Sequence, residues 1–161
     1  MLDPWYITGL TEGEGSFSVS FSLRAKLKVG IETRPSFSIT LNRRDLELIK
    51  AVRNFFGCGG IRFSRSDNCY KFEVRSIDDL VKRIIPHFER YPLQGSKAKS
   101  FEGFKRICEL VRSNLHLSPV YLKEIIEIAY EMNLSGKRRY TKEDLLRVLV
   151  TRRYSLPPTE R

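Results

Sequence analysis

Ile7-Thr8-Gly9-Leu10-Thr11-Glu12-Gly13-Glu14-Gly15-Ser16-Phe17-Ser18-Val19-Ser20-Phe21-Ser22-Leu23 changes period partway along. From Ser16 onward serine alternates with an apolar residue without a break, the period of two that gives a strand one buried and one solvated face. The first half does not alternate, and it follows Asp3-Pro4, a helix-start signal. There the carboxylate caps free N–H groups, and the missing N–H of proline costs nothing in the first turn. A helix over about residues 4–13 that runs almost directly into a strand is therefore predicted. Counting past Leu23 puts Arg24, Lys26 and Lys28 on the serine side, so the strand is expected to reach Lys28. After a turn near Gly30, residues 34–40 alternate again, with Phe37, Ile39 and Leu41 inward and Arg34, Ser36, Ser38 and Thr40 outward. The two strands form a long hairpin.

Further on, Leu46, Ile49, Val52 and Phe56 recur at helical spacing over residues 45–56, and Gly57 ends that helix. A second, shorter hairpin follows. It sends Ile61, Phe63, Tyr70, Phe72 and Val74 to the core and Arg62, Ser64, Lys71, Glu73 and Arg75 outward, with Ser66-Asp67-Asn68 as turn residues. From Ser76 the spacing is helical over residues 77–88, 97–112 and, after Ser118-Pro119, to about Met132. Thr141 caps a last helix through Arg153, and the tail from Leu156 is expected to fray. The fold class is α+β, a single domain over residues 1–161 with one antiparallel sheet whose apolar face the helices cover.

The 161 residues hold 29 Lys+Arg against 19 Asp+Glu, a formal charge of +10. At 41% hydrophobic the chain has enough apolar surface for one core. No apolar run approaches the ~20 residues of a membrane span, and the N-terminus lacks a secretory layout. A cytosolic protein is expected, or an organellar one where its target lies there. Cys58, Cys69 and Cys108 are odd in number and have no CxxC spacing, which argues against a disulfide framework and a zinc site. His87 and His116 are isolated and suggest no role.

The solvated face of the sheet collects Arg24, Lys26, Lys28, Arg34, Arg62, Lys71 and Arg75, joined by Arg65 near the second turn, against two acids, Glu32 and Glu73. Ser16, Ser18, Ser20, Ser22, Ser36, Ser38, Thr40 and Ser64 fill the gaps. Solvated sheet faces are polar in any case. The sign bias and the length point further, to nucleic acid. A strand over residues 16–28 would span roughly 40 Å, on the order of ten base pairs. A twisted ribbon of two hairpins fits a major groove, where Arg and Lys read guanine and Ser, Thr and Glu reach other base edges. Single-stranded RNA readers stack bases on exposed aromatics, and here the strand aromatics point inward.

Gly9 and Gly13 lie four apart on one helical face and leave it bare, although glycine costs about 1 kcal/mol against alanine in a helix. A second helix could approach there backbone to backbone. Glu12 and Glu14 stand at the helix end, where the dipole disfavours a carboxylate; they are either solvated acids or, for Glu14, a ligand whose bound divalent cation offsets the dipole.

Residues 7–15 resemble the LAGLIDADG motif of homing endonucleases, with Ile-Thr in place of Leu-Ala and Glu in place of both Asp. Followed by two hairpins separated by a helix, the stretch over about residues 4–112 is similar to that family's αββαββα core, with residues 118–153 as a helical extension of it. The resemblance implies a saddle-shaped four-stranded antiparallel sheet and a site-specific, Mg²⁺-dependent DNA endonuclease, with Mn²⁺ or Ca²⁺ able to substitute in binding. It makes Glu14 and the Gly13 carbonyl the metal ligands and gives Glu12 a local hydrogen bond. Lys97 becomes the catalytic lysine, with Lys99 as the alternative. Where the family often has a water-orienting glutamine at the end of the second strand, this chain has Leu41 followed by Asn42, which makes Asn42 the candidate for that catalytic role. Lys137-Arg138-Arg139 matches the basic loop that grips phosphates, though such a run is also an ordinary solvated turn.

A single motif in the chain implies a homodimer, with Ile7, Gly9, Leu10 and Gly13 at a two-fold interface and a roughly palindromic double-stranded target. The alternatives of another class are an RNA maturase involved in intron splicing and a non-catalytic DNA-binding regulator of the same fold.

Overall fold

In the computed structural model, which describes residues 1–133 and 137–154, the change of period at Gly15 is a joint between two elements. Helix α1 spans Pro4–Glu14, and the Asp3 carboxylate caps it by accepting from the N–H groups of Trp5 at 2.8 Å and Tyr6 at 3.4 Å. Strand β1, Gly15–Leu23, starts at the next residue. Crowding demands glycine there: a Cβ on Gly15 would lie 2.8 Å from the Thr11 carbonyl oxygen and 2.9 Å from Thr11 Cα.

Strand β2, Ile31–Asn42, returns antiparallel to β1, with Gly15 opposite Ile39 and Ser20 opposite Arg34. Helix α2, Leu46–Phe56, ends on Gly57 in the left-handed region at φ 66°. Strands β3, Gly60–Ser64, and β4, Cys69–Val74, complete a four-stranded antiparallel sheet in the order β1-β2-β4-β3. This is the expected α+β sheet, and α2 and α5 (Lys97–Arg112) cover its apolar face. Phe17 centres that core, with its ring 5.2 Å from Phe37, 5.3 Å from Phe88, 5.4 Å from Phe101 and 5.2 Å from Phe104. Phe63, expected inside, is exposed on edge strand β3 and leans on Tyr70 at 4.9 Å.

β1 stops at Leu23 and does not reach Lys28. The Leu27 N–H bonds the Arg24 carbonyl at 3.0 Å and the Gly30 N–H bonds the Leu27 carbonyl at 2.9 Å, closing two successive turns. These turns bury Val29 and pack Leu27 against the core, which an extended ribbon running past the sheet would not do. Lys26 and Lys28 consequently sit exposed on a loop, off the sheet face. The nine-residue strand spans about 30 Å.

The single helix expected over residues 77–88 is instead three pieces: α3, Ile77–Asp79, then wide π-type turns at Leu80–Ile84, then α4, Ile85–Arg90. Pro86 has no N–H with which to continue the i→i−4 ladder, and the wide turns immediately precede it. Helix α6, Pro119–Glu131, packs on α5 across Gly103, where a Cβ would stand 2.9 Å from Ile128 Cγ2. Helix α7, Lys142–Tyr154, packs on α6. Its predicted cap is reciprocal: the Asp144 N–H donates to Thr141 Oγ1 and the Thr141 N–H to the Asp144 carboxylate, both at 3.1 Å. The tail from Leu156 lies outside the described residues.

His87, to which the sequence suggested no role, ties α1 to α4. The Thr8 hydroxyl donates to the Tyr91 carbonyl at 2.8 Å, which uses its one proton, so His87 Nε2 donates to Thr8 Oγ1 at 3.2 Å. The rings of Phe55, Phe56, Phe88 and Tyr91 surround the imidazole at 4.7–5.5 Å. Burial lowers its pKa to about 4. The unfolded chain therefore binds this proton from about pH 6.5 downward and the folded chain only near pH 4. Stability is complete above pH 6.5 and falls by about 3 kcal/mol as the pH drops to 4. Urea unfolding across that window should show a slope that His87→Gln, which cannot titrate, loses; equal slopes in both proteins would contradict this.

Candidate active site and nucleic-acid interface

The end of α1 separates its two acids. The Glu12 carboxylate turns to the segment before α5 and accepts from the N–H groups of Gln94 and, at 2.9 Å, Gly95. It is thus a tether between elements distant in sequence, where the sequence had suggested a local bond. Glu14 is exposed, and among the described residues no hydrogen bond or ion pair holds its carboxylate.

Lys97 meets both. At the first position of α5 a lysine opposes its own helix dipole, yet its ammonium reaches the negative end of α1. It donates to the carbonyls of Thr11 at 2.9 Å, Glu12 at 3.1 Å and Gly15 at 2.6 Å, using all three protons. It leaves the Gly13 carbonyl open, next to Glu14. Burial holds this ammonium below lysine's ordinary pKa, with the charges of Glu12 and Glu14 pulling it back up. Lys99, the alternative, is exposed and makes no bond to α1 among the described residues.

Glu14 and the Gly13 carbonyl are hard oxygen donors and so suit a cation such as Mg²⁺. They do not complete a shell: no cluster of three His, Cys, Asp or Glu able to hold a metal exists among the described residues. A site here needs oxygens beyond these two.

The bare face of α1 is confirmed in part. Gly9 and Gly13 are exposed, and a Cβ built on either meets nothing within 4 Å. Nothing among the described residues therefore calls for glycine at these positions. Leu10 is half-buried beside them. Ile7 is a correction: it is 0% exposed, on the opposite face with Thr8 and Thr11, and belongs to the core. Trp5 and Tyr6, which the sequence reading passed over, are the exposed aromatics of this helix. Their offsets of four and three residues from Gly9 were the available signal.

On the outward sheet face Ser16, Ser18, Ser20, Ser22, Arg34, Ser36, Thr40, Arg62, Ser64, Lys71, Glu73 and Arg75 keep the predicted side, with Arg65 exposed in the second turn. Ser38 corrects the list. Flanked in register by Ser16 and Glu73, it is only 5% exposed and cannot reach a ligand from there. Ser18 and Ser36 hydroxyls bond each other at 2.9 Å. Asn42 accepts from the Arg44 N–H at 3.1 Å and caps the turn after β2. It lies three residues beyond Ile39, the partner of Gly15, or about 10 Å along the strand. The structure gives Asn42 a capping duty and does not bring it to Glu14.

The basic run divides. Arg138 donates from Nη1 to the Val19 carbonyl at 3.0 Å and from Nη2 to the Ala129 carbonyl, with its guanidinium 4.4 Å over the Tyr130 ring. Asn133 donates to the Phe17 carbonyl. Both side chains cap the outer edge of β1, so Arg138 is not a free phosphate grip. Lys137 and Arg139 remain exposed, with Arg139 5.4 Å over Tyr140. Arg138→Ala strands two carbonyls and should cost about 2 kcal/mol in urea unfolding. It should leave the salt dependence of any polyanion binding unchanged, whereas Lys137→Ala should lower that dependence and spare stability.

Comparison with known proteins follows the same outline. A family model described as "LAGLIDADG endonuclease" matches residues 7–108. The probable intron-encoded endonuclease 3 of Neurospora crassa is 35% identical over 83% of this chain and 25% of that protein. The chain spans between a quarter and about half of the length of the curated relatives it matches first. The crystal structure of the homing endonuclease I-TnaI superposes with a TM-score of 0.81 at 34% identity, covering 94% of this chain and 98% of that one. I-SmaMI, bound to an uncleaved DNA target in the presence of calcium ions, superposes at 0.83 with 29% identity, over 100% of this chain and 52% of that one. The glycine-faced helix ending in two differently employed acids, the sheet order and this match over residues 7–108 agree: the chain belongs to the LAGLIDADG endonuclease family.

Proposed function

We propose that this chain is one half of a site-specific DNA endonuclease that hydrolyses both strands of a long, roughly palindromic duplex. The observation that carries the reading is Glu14. It is an unengaged carboxylate at the foot of α1, beside an open carbonyl and next to a polar, basic sheet face. Two copies would pack α1 against α1 through the empty Gly9 and Gly13 faces, with Trp5, Tyr6 and Leu10 at the margins. A two-fold contact of this kind is self-complementary and brings both Glu14 carboxylates to the axis. In I-SmaMI, of which this chain covers about half, the remaining length would stand for the second copy.

Each Glu14, with the Gly13 carbonyl, would hold a divalent cation, Mg²⁺ in the working enzyme, together with DNA phosphate oxygens. Bound there, such a cation would supply Lewis-acid chemistry for activating water and stabilising the leaving 3′ oxygen. The chain's own residues do the rest. Lys97 fixes the carbonyl end of α1 and adds positive charge near the developing negative charge. The serines, threonine, arginines and lysines of the sheet face track the groove, over roughly twenty base pairs for the pair of sheets. Water attacks phosphorus, the P–O3′ bond breaks, and the products are a 5′-phosphate and a 3′-hydroxyl. The enzyme would act wherever its target DNA lies, in the cytoplasm or an organelle. No helix among the described residues is long and apolar enough to cross a membrane.

A randomised duplex library incubated with the protein and Mg²⁺ tests this reading. Double-strand cuts at one recovered sequence, blocked by EDTA, are expected, and a sedimentation mass of two chains. Binding to a recovered sequence without nicking would overturn the catalytic half of the proposal and leave a DNA-binding regulator. A mass of one chain at micromolar concentration would overturn the pairing.

A further inference from the structure

The two acids on the basic sheet face are each held between two cations. Glu32 on β2 receives Arg24 Nε on Oε2 at 2.8 Å and Arg34 Nη2 on Oε1 at 2.9 Å. Glu73 on β4 receives Lys71 Nζ on Oε2 at 2.6 Å and Arg75 Nε on Oε1. In each group the acid lies deepest: the side chains of Glu32 and Glu73 are 29% and 15% exposed, those of Arg24 and Arg75 55% and 60%. Ion pairs at a solvated surface contribute little to stability, so the fold alone accounts poorly for two such matched groups. Arg24 and Arg75 are both gripped at Nε, and among the described residues no hydrogen bond holds the terminal nitrogens of either guanidinium. Those two nitrogens are the fork that pairs with O6 and N7 of guanine in the major groove.

We infer that Glu32 and Glu73 are positioning residues that hold Arg24 and Arg75 in place to read guanine, so that each chain carries two preset guanine readers. This rests on the DNA-binding reading above and adds to it which base and which residues. Arginine carries much rotamer entropy, and a side chain already held by a carboxylate has less of it to lose on binding. Glu32 gives up both oxygens to its arginines, and the pKa of its carboxyl is held below the ordinary value by the hydrogen bonds of Arg24 and Arg34. For Glu73 burial pushes the pKa up, but Lys71 and Arg75 outweigh it and the net direction is down. Both acids are thus charged and engaged, unlike free acceptors for a cytosine amino group.

The register sets the spacing. Glu73 is level with Ser38 on β2, six residues from Glu32, or about 20 Å along the strand. At about 3.4 Å per base pair the two readers fall roughly six pairs apart, with the Glu73 group nearer to Gly15 and Glu14.

The experiment is a binding selection on a randomised duplex library in Ca²⁺, comparing the parent chain with Glu32→Gln, Glu73→Gln and the shortened Glu32→Asp and Glu73→Asp. The parent should prefer G·C at two positions per half-site about six pairs apart. Glu73→Gln should lower that preference about tenfold at the inner position only, and Glu32→Gln at the outer only, while affinity for unrelated duplex rises several-fold at low salt because a negative charge is gone. The Asp variants, which keep the charge and lose the reach, should relax the same positions without that rise. Unchanged preference in every variant, or a parallel loss at all positions, overturns the inference. If the parent itself selects no sequence, the DNA-binding reading fails instead.

Discussion

Glu14→Gln should remove metal-dependent strand cleavage, by on the order of 10³-fold, while duplex affinity measured in Ca²⁺ stays within about threefold. Glutamine is nearly isosteric but carries no charge. In the fold no hydrogen bond or ion pair holds the Glu14 carboxylate among the described residues. Its charge opposes the negative end of α1 but attracts the Lys97 ammonium, so removal should leave stability within a few tenths of a kcal/mol of the parent. The contrast with Glu12 sharpens the test. Glu12→Gln leaves one oxygen to accept from Gln94 and Gly95, so it should retain most cleavage. Plasmid nicking on gels and thermal unfolding of both variants measure these outcomes. Near-parental cleavage by Glu14→Gln would remove the chemical basis for the proposed site.

Lys97→Met should act on fold and chemistry together, and the two can be separated. Methionine has a similar length, so packing is kept, but the carbonyls of Thr11, Glu12 and Gly15 lose their donor at once. Leaving part-buried acceptors unpaired should cost about 3 kcal/mol in urea unfolding. Cleavage should fall at least tenfold even at temperatures where the variant is fully folded, because Glu14 sits one residue before Gly15 and moves with it. Lys97→Arg tests the geometry. A planar fork cannot converge on three carbonyls as an ammonium does, so it should recover charge but only part of the stability. A Lys97→Met protein as stable as the parent would contradict the bond pattern.

Much of the fold could be read in the residues because each element carries its own local signal. The Asp3-Pro4 start, the period change at Gly15, the left-handed Gly57 and the Thr141–Asp144 cap are all decided within a few residues. The end of β1 was misread for a physical reason. Residues 24–29 continue the alternation, and no Gly or Pro interrupts it before Gly30, so only the burial of Val29 in three dimensions selects turns over strand. The candidate site was legible as types of residue but not as duties. Glu12 with Gln94 and Lys97 with Thr11 are partners more than eighty residues apart, and no periodicity records such a pairing. Nor does any periodicity record the pairing of Thr8 with His87, 79 residues apart. Arg138 sits in a run that reads as uniform charge, yet one member is consumed by backbone carbonyls.

The covered margin of β1 also bears on how this chain can be cut or joined to others. A strand at the end of a sheet offers its backbone as a template for any passing chain, and here Asn133 and Arg138 occupy the acceptors of Phe17 and Val19. The family match ends at residue 108, so a fragment trimmed to the family-defining part would keep the sheet and both acids but lose this cover. Such a fragment would carry an open strand nine residues long, rich in alternating serine and aromatic or aliphatic side chains, and would be prone to aggregate. Asn133 and Arg138, which lie between the last two helices, therefore act as the protein's guard against self-association along the β1 edge.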